Sequence, residues 1–285
     1  MSASPQTESS SASQGESQGY VHGFTREEQD RLRFQARFLE HRVHDRLPFR
    51  RARRLLEVGC GVGAQTEILL RHFPELHITG VDASEANLAR ASEAMAEHVW
   101  AEGRYEYRQG DGARLDFGAS EFDAAFLCWI LEHVGDPQRV LSEVRRCLRP
   151  GSPLVVTEVQ NASFFVDPYS PQTWTYWMAF NDHQVELGGD PFVGAKLGNL
   201  LQAVGYQDVV TDTRTIHLDN RDPGERAEFL AFWTELLLSA APGLIEAGKV
   251  ERSLVEGMER ELDQVAHDPN AVFWYTFVQA RAVVR

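Results

Sequence analysis

Cysteine is scarce in this 285-residue sequence, and the three present, Cys60, Cys128 and Cys147, form an odd set without the close spacing of a metal site. That argues against a disulfide scaffold or a zinc module, and it makes a reducing cytoplasm the expected compartment. Long apolar runs are lacking as well. The longest, Ala124 to Leu131, has eight residues, against the roughly 20 that a membrane-spanning helix needs. Residues 1–19 hold no Lys, Arg or apolar segment, so neither a secretory leader nor a membrane span is expected. Basic charge is in deficit: 28 Lys and Arg face 42 Asp and Glu, a net charge of −14. Such a surplus repels a phosphate backbone and argues against a nucleic-acid partner. The basic block Arg46, Arg50, Arg51, Arg53 and Arg54 reads as a solvated surface turn. No repeat of about 20–50 residues runs through the chain.

What is present is an ordinary globular composition, 43% hydrophobic and 25% charged, sufficient for one large α/β domain with its own core. Residues 1–19, with seven Ser and three Gln, cannot repay the entropy of ordering and read as a disordered tail. Residues 20–48 read as an N-terminal helical arm. Thr25 with Glu28 three residues on is a capping signal, and Leu32, Phe34, Phe38, Leu39 and Val43 recur at near-helical spacing until Pro48.

From 49 to 285 the pattern is that of one domain. Strand-like segments at Arg54–Val58, His77–Asp82, Arg104–Gln109, Asp123–Cys128 and Leu154–Val159 are separated by helix-like segments at Ala64–Phe73, Glu85–Trp100 and Pro137–Leu148. Several of the strands are near-continuous apolar runs, as expected for strands buried on both faces. Strand–helix alternation of this kind predicts a doubly wound α/β fold around a mainly parallel, seven-stranded sheet. After Val159 the alternation stops. An aromatic stretch (Phe164, Phe165, Tyr169, Trp174, Tyr176, Trp177, Phe180) precedes a helix at Val193–Val204, a strand at Gln207–His217, a helical insertion at Pro223–His267 and a closing strand at Ala271–Val284. Two late strands joined by a long excursion predict an antiparallel C-terminal edge, with helical lid insertions at about 160–190 and 220–268.

The segment Leu55-Leu56-Glu57-Val58-Gly59-Cys60-Gly61-Val62-Gly63 is an apolar strand running into a glycine turn and then a helix. Glycines there permit a tight turn and bring backbone N–H groups close to a ligand at a helix N-terminus. Nineteen residues after Gly63, Asp82 ends the second strand in Val81-Asp82-Ala83-Ser84, where a carboxylate can accept both ribose hydroxyls of an adenosine. The spacing is Gly-x-Gly-x-Gly, not Gly-x-Gly-x-x-Gly, and Glu57 stands just before it. A carboxylate at that point repels a pyrophosphate but can accept, directly or through water, from an α-ammonium. An amino-acid nucleoside therefore suits the turn better than NAD.

On these residues the chain resembles the class I, Rossmann-like S-adenosylmethionine-dependent methyltransferases of the small-molecule and secondary-metabolite type, over about residues 50–160. The resemblance implies S-adenosylmethionine as cofactor and S-adenosylhomocysteine as product. It also implies that Glu57, Gly59, Cys60, Gly61 and Gly63 cradle the methionine part, that Asp82 and Ala83 hold the ribose, and that Asn87 lines the adenosine. Within Gln109-Gly110-Asp111-Gly112-Ala113, Asp111 would accept from the adenine amino group beside Gly112. The segment Phe126-Leu127-Cys128-Trp129-Ile130-Leu131-Glu132-His133-Val134-Gly135-Asp136-Pro137 is similar to the fourth-strand signature of quinone-type and related methyltransferases, which puts Cys128 beside the cofactor. The Asn/Asp-Pro-Pro-Tyr motif of many nucleic-acid and protein amino-group methyltransferases is missing.

Methyl transfer from a sulfonium needs in-line alignment above all, and a base only where the acceptor must lose a proton. His133, just past strand four, is the candidate base, or it simply packs its loop. Asp182 with His183 is a second candidate, read as a solvated loop pair otherwise, and Glu158 a third, read as a salt-bridge partner otherwise. No metal cluster stands out, so metal independence is expected. The aromatic stretch either packs a lid or lines an apolar pocket whose π-faces could hold a cation near the methyl, which would suit C-methylation of a prenyl or terpenoid alkene. Tyr20, before the first helix, is a candidate for reaching the cofactor, and an arm of that kind makes a homo-oligomer plausible. The competing readings are an NAD-dependent oxidoreductase and a non-catalytic adenosylmethionine-binding module.

Overall fold

A computed structural model describes residues 26–285, with side chains from Arg31 onward. The expected disordered tail and the Tyr20 assignment lie outside the described residues. Five strands form the parallel part of the sheet: β1 (Arg54–Val58), β2 (His77–Asp82), β3 (Tyr105–Gln109), β4 (Ala124–Cys128) and β5 (Pro153–Val159). Their order is β3-β2-β1-β4-β5, all neighbours parallel. A long antiparallel strand, β8 (Val272–Val283), follows β5 and pairs on its other side with β7 (Gln207–Leu218). A three-residue strand, β6 (Phe165–Asp167), pairs with the start of β8, so the described sheet has eight strands rather than seven.

Alternation along the strands builds two cores, one on each face of the sheet. Leu55, Phe126, Val155 and Phe277 belong to one; Leu56, Leu127, Val156 and Ala280 belong to the other. The second face is covered by α5 (Pro137–Cys147) and α7 (Leu197–Val204), through Val140, Leu141, Leu197 and Leu201. On the first face lie α1 (Arg26–Phe38), the single turn α2 (Glu40–Val43), α3 (Ala64–His72) and α4 (Glu85–Ala96). Beside them α6 (Pro171–Glu186), α8 (Pro223–Glu246) and α9 (Arg252–His267) pack together into one layer. The two insertions expected as lids are therefore halves of one helical cover.

By length and composition α8 is apolar enough to cross a membrane, yet its Phe229, Leu230, Phe232, Trp233, Leu237 and Leu244 are buried in the core. Buried Arg226 donates to the carbonyls of Ala271 and Asp268 at 3.1 and 2.7 Å, tying the start of α8 to the turn before β8. The N-terminus of α6 is closed by a residue of α9. Glu261 accepts from the N–H groups of Gln172 and Thr173 at 3.1 and 2.8 Å and from the Thr173 hydroxyl at 2.9 Å. Those N–H groups have no partner inside their own helix, so Glu261→Ala is expected to cost about 2 kcal/mol in urea unfolding.

The arm before β1 carries an acid-sensitive contact. His44 is buried with its ring 5.8 Å from Phe126 and its Nδ1 3.2 Å from the Glu40 carbonyl. Burial holds its pKa down at about 4, against 6.5 ordinarily. The folded chain thus keeps His44 neutral where the unfolded chain protonates it, and the stability from this site is lost as pH falls from 6.5 toward 4. The loss is on the order of 3 kcal/mol at the lower end. Urea midpoints of the protein should fall across that window, and those of His44→Gln should fall less.

Candidate active site

The turn after β1 is fastened to β2 by Gly59 N–H and Cys60 N–H, which donate to the Val81 carbonyl at 2.8 and 3.1 Å. Gly59 has φ +74°, and a Cβ there would lie 2.6 Å from Ile130 Cδ1, so both backbone conformation and space call for glycine. Gly63 repeats the device with φ +74° as the cap of α3, where a Cβ would meet Tyr107 Oη at 2.5 Å. The turn opens onto a cavity of about 530 Å³ whose wall includes Gly59, Cys60 and Gly61.

Asp82 stands at the rim, mostly buried. Its Oδ2 accepts from Gly61 N–H and its Oδ1 from Ser84 N–H, both at 2.9 Å. Burial raises its pKa, while these backbone bonds and one to Asn87 oppose the rise. Ser84 caps α4 by accepting from Asn87 N–H at 3.2 Å, which sets Ala83 and Asn87 on the same wall. After β3, Asp111 is exposed and accepts from Ala113 N–H at 2.8 Å, and both Asp111 and Gly112 line the cavity.

Beyond this polar end the wall turns aromatic. Trp129 follows β4, Trp177 and Phe180 come from α6, Phe229, Phe232 and Trp233 from α8, and Tyr275 and Phe277 from β8. The rings interlock: Trp177 stacks on Phe180 at 5.4 Å, and Trp233 lies 5.1 Å from Tyr275 and 5.4 Å from Trp177. Trp129 has φ +55°, a costly conformation for a bulky residue, stored here at the cavity wall. Its N–H donates to the Thr157 carbonyl at 2.8 Å and its ring meets Phe277 edge-on at 6.0 Å. From α1, Arg31, Leu32 and Gln35 complete the enclosure, with the Arg31 guanidinium 5.7 Å from the centre of Phe232.

The same wall includes Cys128, Glu132 and His133. His133 Nε2 is 3.7 Å from Glu132 Oε1, and Gln184 Nε2 donates to Glu132 Oε2 at 2.9 Å. The loop holding these groups rests on Glu158, which is fully buried and accepts from the N–H groups of Ile130, Leu131 and Glu132 at 3.0, 2.7 and 3.3 Å. Its partners are backbone donors, not the salt bridge expected.

The structure thus brings Gly59, Cys60, Gly61, Asp82, Ala83, Asn87, Asp111, Gly112, Cys128 and His133 to one cavity. Glu57 and Gly63 are not on its wall. Glu57 turns to the α3 side of β1 and accepts from the Thr66 hydroxyl at 2.6 Å, since residues two apart along a strand share a face and Glu57 goes with buried Leu55. Asp182 and His183 lie within α6 rather than in a loop and do not reach the cavity. Of the aromatic stretch, Trp177 and Phe180 line the cavity, while Phe165 and Tyr169 are exposed. Sequence reasoning missed the α8 wall and Arg31. The signal for α8 was Phe229, Phe232, Trp233 and Leu236, spaced as one helix face. The arginine block before β1 is a surface feature as read, with Arg53 paired to Glu75 and Arg54 to Glu121.

Comparison with known proteins bears on this arrangement. Residues 56–156 match a family model described as a methyltransferase domain. O-methyltransferase cnsE of Penicillium expansum is 30% identical over 178 residues, 62% of this chain and 60% of that protein. Phosphatidylethanolamine N-methyltransferase of Cereibacter sphaeroides is 36% identical over 106 residues, 37% of this chain and 50% of that protein. The matches to this chain therefore span 60% and 50% of these relatives' own lengths. Among solved structures, phosphoethanolamine N-methyltransferase 2 of Haemonchus contortus, in complex with phosphomonomethylethanolamine and S-adenosylhomocysteine, aligns with a TM-score of 0.52. The identity is 20%, covering 90% of this chain and 52% of that one, a likeness of fold. The sheet order, the glycine turn and the matched segment agree in marking residues 56–156 as similar to a methyltransferase domain.

Proposed function

We propose that the protein transfers a methyl group from S-adenosylmethionine to a small, largely apolar acceptor. One observation carries this reading: a single cavity of about 530 Å³ joins the glycine turn, Asp82 and Asp111 to an aromatic chamber. Asp82 would accept from the ribose hydroxyls and Asp111 from the adenine amino group, with Ala83, Asn87 and Gly112 alongside. Gly59, Cys60 and Gly61 would hold the methionine part, beside Cys128. Bound there, the cofactor supplies a methyl group on a sulfonium that leaves as a neutral thioether. The protein's share is then to align the acceptor and exclude water, which the ring-lined wall suits.

The finer reading is C-methylation of a prenyl or terpenoid alkene. Trp129, Trp177, Phe180 and Trp233 supply π-faces that stabilise positive charge developing on a hydrocarbon. For an acceptor that must lose a proton, His133 beside Glu132 is the base. The reading includes a reducing compartment, supported by Cys60, Cys128 and Cys147, all free thiols.

The test is transfer of tritium from methyl-labelled S-adenosylmethionine into organic-extractable product, with prenyl alkenes and phenols as acceptors. Label in a prenyl hydrocarbon supports the finer reading, and label in phenols alone replaces it with O-methylation. His133→Ala should lower turnover about 100-fold where proton removal is required. An unchanged rate assigns the imidazole to packing.

A further inference from the structure

A carboxylate is built into the cavity wall beside the aromatic rings. The charged and imidazole side chains on that wall, among the described residues, are Arg31, Asp82, Asp111, Glu132 and His133. The two aspartates stand with the glycine turn, and the Arg31 guanidinium lies against Phe232. Glu132 is 8% exposed and is gripped from α6. Gln184 Nε2 donates to its Oε2 at 2.9 Å and to its backbone carbonyl at 3.3 Å. Trp177, Phe180 and Gln184 stand at i, i+3 and i+7 of α6 and are all buried, so they share one helix face. The carboxylate is thereby fixed alongside the stacked rings of Trp177 and Phe180, whose centres are 5.4 Å apart. Its Oε1 takes no hydrogen bond among the described residues, and His133 Nε2 stands 3.7 Å from it, beyond hydrogen-bond reach.

A carboxylate next to ring faces is the recognition chemistry of an organic cation. The acid pairs the charge, and the π-faces hold the alkyl-substituted sides of the same group. Gln184 supplies a hydrogen bond but no charge, so the desolvated carboxylate has most to gain from a cation on the ligand. We propose that Glu132 anchors a protonated amine on the acceptor, so that the substrate class is an apolar amine with its ammonium between Oε1 and the rings of Trp177 and Phe180. The inference rests on reading the cavity as the methyl-transfer site, and it names what the acceptor carries besides its apolar body. No bond to this nitrogen forms or breaks, and a prenyl alkene on the same molecule keeps its reactive carbon for the chemistry above.

The test is calorimetric titration of the full chain, saturated with S-adenosylhomocysteine, with geranylamine and with geraniol at neutral pH. The two share an isoprenoid body, and the amine alone is a cation. The amine should bind about 30-fold more tightly. Glu132→Gln, which keeps an acceptor for Gln184, should remove most of that preference. Phe180→Leu, which leaves the carboxylate in place, should reduce it about threefold. Equal affinity of the two for the unmodified protein, or binding of neither, overturns the proposal while the cofactor site stands. A preference left unchanged by either substitution assigns the effect to the net charge of −14 and overturns it as well. If Glu132→Gln instead loses S-adenosylhomocysteine, the carboxylate serves the cofactor and the inference falls. Failure of the unmodified protein to take up S-adenosylhomocysteine removes the reading on which it rests.

Discussion

Asp82→Ala should weaken S-adenosylhomocysteine binding by about 2 kcal/mol, roughly 30-fold. Two losses combine. The ligand loses a charged acceptor for its ribose hydroxyls, worth more than a neutral one. The turn itself loosens, because Gly61 N–H and Ser84 N–H both donate to this carboxylate at 2.9 Å and would be left to water. Asp82→Asn keeps one acceptor oxygen and should lose less. Calorimetry reads the difference directly, and unchanged affinity in the Ala protein would remove Asp82 from the site.

The largest effect on stability should come from Glu158→Ala, on the order of 4 kcal/mol. Glu158 is fully buried, and three consecutive backbone N–H groups, from Ile130 to Glu132, converge on it. Truncation strands all three donors and opens a void beside them. Because these residues lead directly into His133 and follow the strained Trp129, the acceptor side of the cavity should deform with them. A fall in Tm of about 8–16 °C is expected, with Glu158→Gln falling less because it retains one acceptor oxygen. A loss below about 1 kcal/mol would show that the loop is held by something else.

Much of this architecture is legible in the residue order, for reasons that are physical. β1, β2 and β4 are buried on both faces, so their apolar runs stand out against the charged helices that connect them, and Asp136-Pro137 marks the start of α5 by its capping chemistry. The glycine turn and Asp82 are legible because a backbone that bends sharply and a carboxylate at a strand end leave local signatures. What was not legible is whatever depends on which way an element faces once packed. Phe229, Phe232 and Trp233 look the same in sequence whether they fill a core or wall a chamber; here they do both. β6 is three residues long, too short to display alternation. Glu57 belongs to the recognisable turn, yet strand pleating sends it behind the wall. Asp182 and His183 follow the aromatic stretch in order but project away from the cavity on α6.

The account depends on the glycine turn, Asp82 and Asp111 holding an amino-acid nucleoside rather than a dinucleotide. Titrating the purified chain with S-adenosylhomocysteine and, separately, with NAD tests this most directly. Saturable one-site binding of S-adenosylhomocysteine near micromolar Kd, about −8 kcal/mol, with no heat from NAD, is the predicted result. Binding of NAD in its place, or of neither, would contradict it.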